Sequence, residues 1–135
     1  MNYNEMTAAQ CADWLAEKDG WTWRPYAGSD DVRMWSHPTK LDMLEYRGLV
    51  GCDNSGPYKL TLDAAAGALR EPAFITAIRR VVTIANLRCT GSDVIYSWCV
   101  DLFTHFDASM KQIDGPDELT ARYRAAVAAR MEEET

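Results

Sequence analysis

The strongest constraint in this chain is a run of alternating character flanked by helical periods. Val94, Tyr96, Trp98 and Val100 alternate with Ile95, Ser97, Cys99 and Asp101, and a period of two predicts a strand with two unlike faces. Helical signals lie on both sides of it. Thr7 followed by Gln10 has the spacing of a capping box, with Cys11, Trp14 and Leu15 on one face, which predicts a helix over 8–18. Thr61 caps an alanine-rich run, Leu62 to Leu69, which is a second helix by propensity despite Gly67. Gly115-Pro116-Asp117-Glu118 opens a last helix over about 116–131, with Leu119, Tyr123, Val127 and Met131 on one stripe.

Shorter strands fill the intervals. Trp21 and Trp23 alternate with Thr22 and Arg24 up to Pro25, Val32 to Trp35 forms a second candidate, and Leu44 to Val50 predicts a third over 43–51 with Gly48 as a bulge. Glu71-Pro72 allows either a kinked continuation of the second helix or a fresh start with Pro72 at the first helical position, and Phe74, Ile75, Ile78 and Val82 give the expected helix face. Val81 to Ile84 is β-branched and reads as strand over 81–90. The order α, several β, α, β, α predicts an α+β fold, a single domain over 1–135 with about three helices on a small, largely antiparallel sheet. The acidic tail Glu132 to Glu134 opposes the helix dipole and is expected to fray.

With 47% hydrophobic and 25% charged residues, a chain of 135 residues can build its core without metals or disulfides. Cys11, Cys52, Cys89 and Cys99 form no C-x-x-C pair, which predicts free thiols in a reducing cytoplasm. The polar opening Met1 to Glu5, and the lack of a long apolar run, predict neither secretion nor membrane spanning. A net charge of -6 disfavours non-specific nucleic-acid binding, and it is too mild an acidic excess for a DNA mimic. Only segment 70–88 is basic, with Arg70, Arg79, Arg80 and Arg88 against Glu71.

Catalytic patterns are weak. His37 and His105 are the two histidines, G-x-S-x-G is absent, and a Cys99/His105 pair has no motif behind it, so no catalytic residue is assigned. His37 beside Pro38 reads as a turn residue. Asp101, His105 and Asp107 match no metal-ligand spacing, and no cofactor or metal is expected. Arginines offer another route to phosphate, since each guanidinium is a planar donor fork. Arg79, Arg80 and Arg88 could hold phosphate while Trp21, Trp23 or Tyr58 stacks a base, although exposed arginines and core aromatics are the plainer reading. Trp21 and Trp23, two residues apart, are expected to share a face, both core or both platform.

Three blocks carry a resemblance. They are Trp14-Leu15-Ala16-Glu17-Lys18-Asp19-Gly20-Trp21-Thr22-Trp23, then Pro57-Tyr58 with Asp63-Ala64-Ala65-Ala66, and a closing Pro116 helix with Ala125, Ala126 and Ala129. On them the chain resembles the small bacteriophage proteins of the phage alpha-beta-alpha sandwich family, outside segments 31–53 and 92–114 and with Lys59 to Leu62 lengthening the step from Tyr to Asp. The resemblance implies a phage origin, three-layer α/β/α packing and no established activity. By analogy with small accessory phage proteins, the leading expectation is a non-enzymatic, anti-defence inhibitor. It would bind a host protein in the host cytoplasm through an acidic surface with an aromatic anchor. The alternatives are a sponge for a nucleotide-type immune signal and, third, a small hydrolase. A homo-oligomer is compatible with each.

Overall fold

A computed structural model describes residues 2–46, 56–68, 74–88, 91–104 and 111–133. The local structure expected at 47–55, 69–73, 89–90, 105–110 and 134–135, including the Gly48 bulge, and the expectations for His105 lie outside the described residues. The fold is α+β, with three α-helices and two antiparallel sheets.

A short 3-10 turn, Tyr3–Glu5, precedes α1 (Ala8–Lys18). The capping box forms as its residue types require: Gln10 N donates to Thr7 Oγ1 over 3.2 Å, and Thr7 N donates to Gln10 Oε1 over 2.9 Å. Gly20, at φ 96, turns the chain out of α1 in a conformation that side chains with a Cβ resist. β1 (Thr22–Tyr26), β2 (Ser29–Ser36) and β3 (Met43–Tyr46) then form the first sheet in sequence order. Trp23 lies opposite Trp35, and Arg33 lies opposite Glu45.

α2 (Leu62–Ala68) starts where Thr61 Oγ1 accepts from Ala64 N over 3.2 Å. β4 (Phe74–Arg88), β5 (Gly91–Thr104) and β6 (Lys111–Gly115) form the second sheet. The helix expected from Pro72 to Val82 is therefore strand from Phe74 onward. Phe74, Ile78 and Val82 are spaced by four, which puts them on one side of a helix and equally on one face of a strand. The β-branched Ile75, Thr76, Ile78, Val81, Val82, Thr83 and Ile84 favour the strand. α3 (Glu118–Glu133) is capped by Asp117, whose Oδ1 accepts from Thr120 N over 2.7 Å. Glu132 and Glu133 remain helical, contrary to the frayed end expected from the dipole.

α3 is buried on two opposite faces. Tyr123, Ala126 and Val127 pack with Cys11, Ala12 and Leu15 of α1 and Ala65 and Ala68 of α2. Ala121, Ala125, Ala128 and Ala129 pack on Val100 of β5 and Ile113 of β6. The alanines make this possible, because small side chains let a helix lie close to a sheet and to other helices at once. A third cluster joins Ala16 of α1 to Trp21 and Trp35, so α1 also supports the first sheet. The single sheet expected from sequence is two sheets, joined through the helices. Among the described residues, no helix is long and apolar enough to cross a membrane.

Candidate binding groove on the first helix

The face of α1 opposite its core side carries a groove. Gln10, Asp13, Trp14 and Glu17 follow the i, i+3, i+4, i+7 spacing of one helix face, and with Met6 they line an open space of about 360 Å³. Cys11, Ala12, Leu15 and Ala16 are buried on the other side. Met6 is buried in the helical core cluster, and Trp14 packs half-buried against that cluster. Lys18 Nζ lies 5.2 Å from the centre of the Trp14 ring. Glu17 is exposed on the rim.

Asp13 fastens this face to the first sheet. Its two oxygens accept from Arg33 Nη1 over 3.2 Å and Nη2 over 2.8 Å, while Arg33 Nε donates to Glu45 Oε1 over 2.8 Å. Glu45, 1% exposed, also accepts from Trp35 Nε1 over 3.2 Å through its other oxygen. The Arg33 guanidinium lies 4.7 Å from the Trp23 ring centre and 5.0 Å from that of Trp35. Burial pulls the Arg33 pKa down, but the hydrogen bonds and charges of Asp13 and Glu45 outweigh it and leave it raised. The Asp13 charge is thus matched from below, and Glu17 is the carboxylate the groove offers outward.

A second network ties the other end of α1. Asp19 accepts from Arg130 Nη1 over 2.8 Å and from the Tyr58 hydroxyl. His37 Nε2 lies 2.9 Å from the Asp19 carbonyl, and its Nδ1 accepts from Thr39 N over 3.1 Å. His37 follows the end of β2 and precedes the bend at 38–40, where these contacts join it to the C-terminal end of α1.

The residues singled out for a nucleotide site fall as follows. Arg79, Arg80 and Arg88 are strand positions of β4, opposite Cys99, Trp98 and Gly91 of β5. Arg79 and Arg80 are consecutive, so they do not occupy one face of the sheet. Trp21, 6% exposed, packs with Ala16 and Trp35, and Tyr58 packs against that cluster. Trp23 is 44% exposed. Trp21 and Trp23 therefore do not share a surface, because β1 begins at Thr22 and Trp21 still belongs to the turn that follows α1. Sequence reasoning missed Arg33, the arginine that stands beside Trp23. It also missed Glu17 as a groove residue, which its spacing from Gln10 and Asp13 would have shown.

Cys11 and Cys99 are free and buried. Burial pushes the Cys11 thiol up to about 12 against the opposing charge of Arg124. Burial, then hydrogen bonds and charge from Asp114 and Asp101, push Cys99 up to about 11. Neither is a thiolate near neutrality, which is the form a nucleophile needs. Treating the native protein at pH 8 with an excess of maleimide is expected to leave both unmodified by peptide mass mapping, and both should label after unfolding. Labelling of Cys99 in the native protein would show an accessible thiolate there. Among the described residues, no group of three or more His, Cys, Asp or Glu is placed to hold a metal ion. Set against known protein families, curated proteins and solved structures, the chain finds no match in any of the three.

Proposed function

We propose that this chain acts by binding and not by catalysis, as an inhibitor of a protein partner that it engages through the α1 groove. The observation that carries the reading is the pairing of a half-buried indole, Trp14, with the exposed Glu17 carboxylate over an apolar floor at Met6. A cationic side chain of a partner fits such a surface. Its aliphatic stem covers Met6 and the indole, and its charged head meets Glu17. Aromatic side chains in partly desolvated pockets are the usual energetic centres of protein interfaces, and the -6 net charge of the chain favours partners with basic surfaces.

The raised thiol pKa values of Cys11 and Cys99 speak against nucleophilic chemistry at those two thiols. The phage origin and the anti-defence role against a host protein, in the host cytoplasm, rest on the resemblance of the α1, Tyr58 and α3 segments to small phage proteins.

Capture from a bacterial lysate tests the reading with paired baits. A host protein enriched by the wild type is expected to fall roughly tenfold or more with Glu17→Lys, as for loss and reversal of a charge at an interface centre. It should be retained by Leu41→Ala, a change at a residue 89% exposed and away from the groove. Trp14→Ala should lower capture further. Equal capture by wild type and Glu17→Lys would remove the groove from the account.

A further inference from the structure

β4 runs 15 residues along the edge of the second sheet. Among the described residues it pairs with β5 alone, and β6 joins β5 only from Trp98 to Leu102. From Val81 to Arg88 the β4–β5 ribbon is therefore two-stranded. Such a ribbon is marginal in water without further cover, and a long regular edge is a template for another strand.

The sequence of β4 restricts which strand can be added. Arg79 and Arg80 sit at its middle, so an incoming strand must not bring cations opposite them. β4 itself meets that condition when turned antiparallel about its own centre, Val81. Ile78 then lies opposite Ile84, Arg79 opposite Thr83, Arg80 opposite Val82, and Val81 opposite its own copy. No arginine faces an arginine. Opposite positions in an antiparallel pair share a face, so one face carries the Ile78/Ile84 and Arg80/Val82 pairs and the other carries Arg79/Thr83 and Val81 with its copy. Outside this stretch Ile75 would match Leu87 and Ala77 would match Ala85, but the β4–β5 register shifts between Ile84 and Asn86. The bulge ends the regular pairing at Ile84 and, by symmetry, at Ile78.

We propose that β4 is a homodimer interface, in which two copies of this chain pair residues 78–84 antiparallel about a two-fold axis at Val81. The result is one continuous six-stranded sheet through a closed isologous contact that pairs the middle of the β4 edge.

Light scattering after size exclusion tests this with register-specific charges. The wild type at micromolar concentration is expected at twice the 15.2 kDa chain mass. Val82→Arg places a cation opposite Arg80 twice per dimer and should raise the dissociation constant at least ~10-fold, whereas Val82→Glu places an anion there and should not. Thr83→Arg and Thr83→Glu repeat the contrast against Arg79 on the other face, and they decide the matter if circular dichroism shows a residue 82 variant unfolded. A monomeric wild type, or arginine and glutamate variants with equal effects at both positions, would overturn the proposal.

Discussion

Arg33→Met is expected to lower stability by about 3–5 kcal/mol, because it leaves the buried Glu45 carboxylate without its cation. For a domain of this size the loss corresponds to a fall of roughly 10–20 °C in Tm. Arg33 is 12% exposed in its side chain and Glu45 is 2% exposed, so water cannot replace the missing partner well. The cost of such a change lies in the stranded charge more than in the lost attraction. The double variant Arg33→Met/Glu45→Gln should therefore recover about 1–2 kcal/mol of the deficit, since no unmatched charge remains at Glu45 and the amide still accepts from Trp35 Nε1. Glu45→Gln alone should cost less than Arg33→Met, since Arg33 keeps its two hydrogen bonds to Asp13. Denaturant unfolding of the three variants measures all of this. A double variant as unstable as the sum of the singles would refute the stranded-charge argument.

Two glycines should respond to alanine with opposite signs. A Cβ at Gly115 would lie 2.5 Å from Ala121 N and 2.8 Å from Ala121 Cα, atoms of the α3 backbone that cannot turn aside. β6 would have to move away from the first turn of α3, opening the contact of Ala121 and Ala125 with Val100 and Ile113. Gly115→Ala is expected to cost about 3 kcal/mol, at the upper end for overpacking. At Gly67, inside α2, an added Cβ meets nothing within 4 Å. Gly67→Ala should stabilise by up to ~1 kcal/mol through helix propensity and a less free unfolded chain. Thermal melts of the two variants in one buffer compare them, and a stabilised Gly115→Ala would mean that β6 and α3 are not packed as described.

Much of the fold is legible locally. The Thr7/Gln10 box places α1, the alternation around Trp98 lies within β5, and Pro116-Asp117-Glu118 announces α3. Elements fail where the local signal is degenerate. Phe74, Ile78 and Val82 satisfy both periods, so pairing with β5 decides for strand. β6 has one strong apolar residue, Ile113, and becomes a strand because β5 lies beside it. In α3, the stripe of Leu119, Tyr123, Val127 and Met131 is readable, but the second buried face is alanine, which carries little weight in any apolar pattern.

The site was less legible for a similar reason. Trp14 reads as part of the core face of α1, and it does lean on that core. The groove exists because Met6 comes alongside α1 and Arg33 reaches up from β2 to neutralise Asp13. Neither is visible in spacing along α1. Arg33 and Glu45 do leave one trace: each stands two residues from a buried or half-buried apolar neighbour on the same strand face, Trp35 and Met43, where a charge needs a partner.

Site-specific photo-crosslinking at Gln10 in bacterial cells tests the binding account most directly. With a benzophenone amino acid at position 10, inside the groove, the account predicts one discrete adduct between this chain and a single host protein. The same probe at the exposed Leu41 should give none. No adduct at position 10, or the same adducts at both positions, would contradict it.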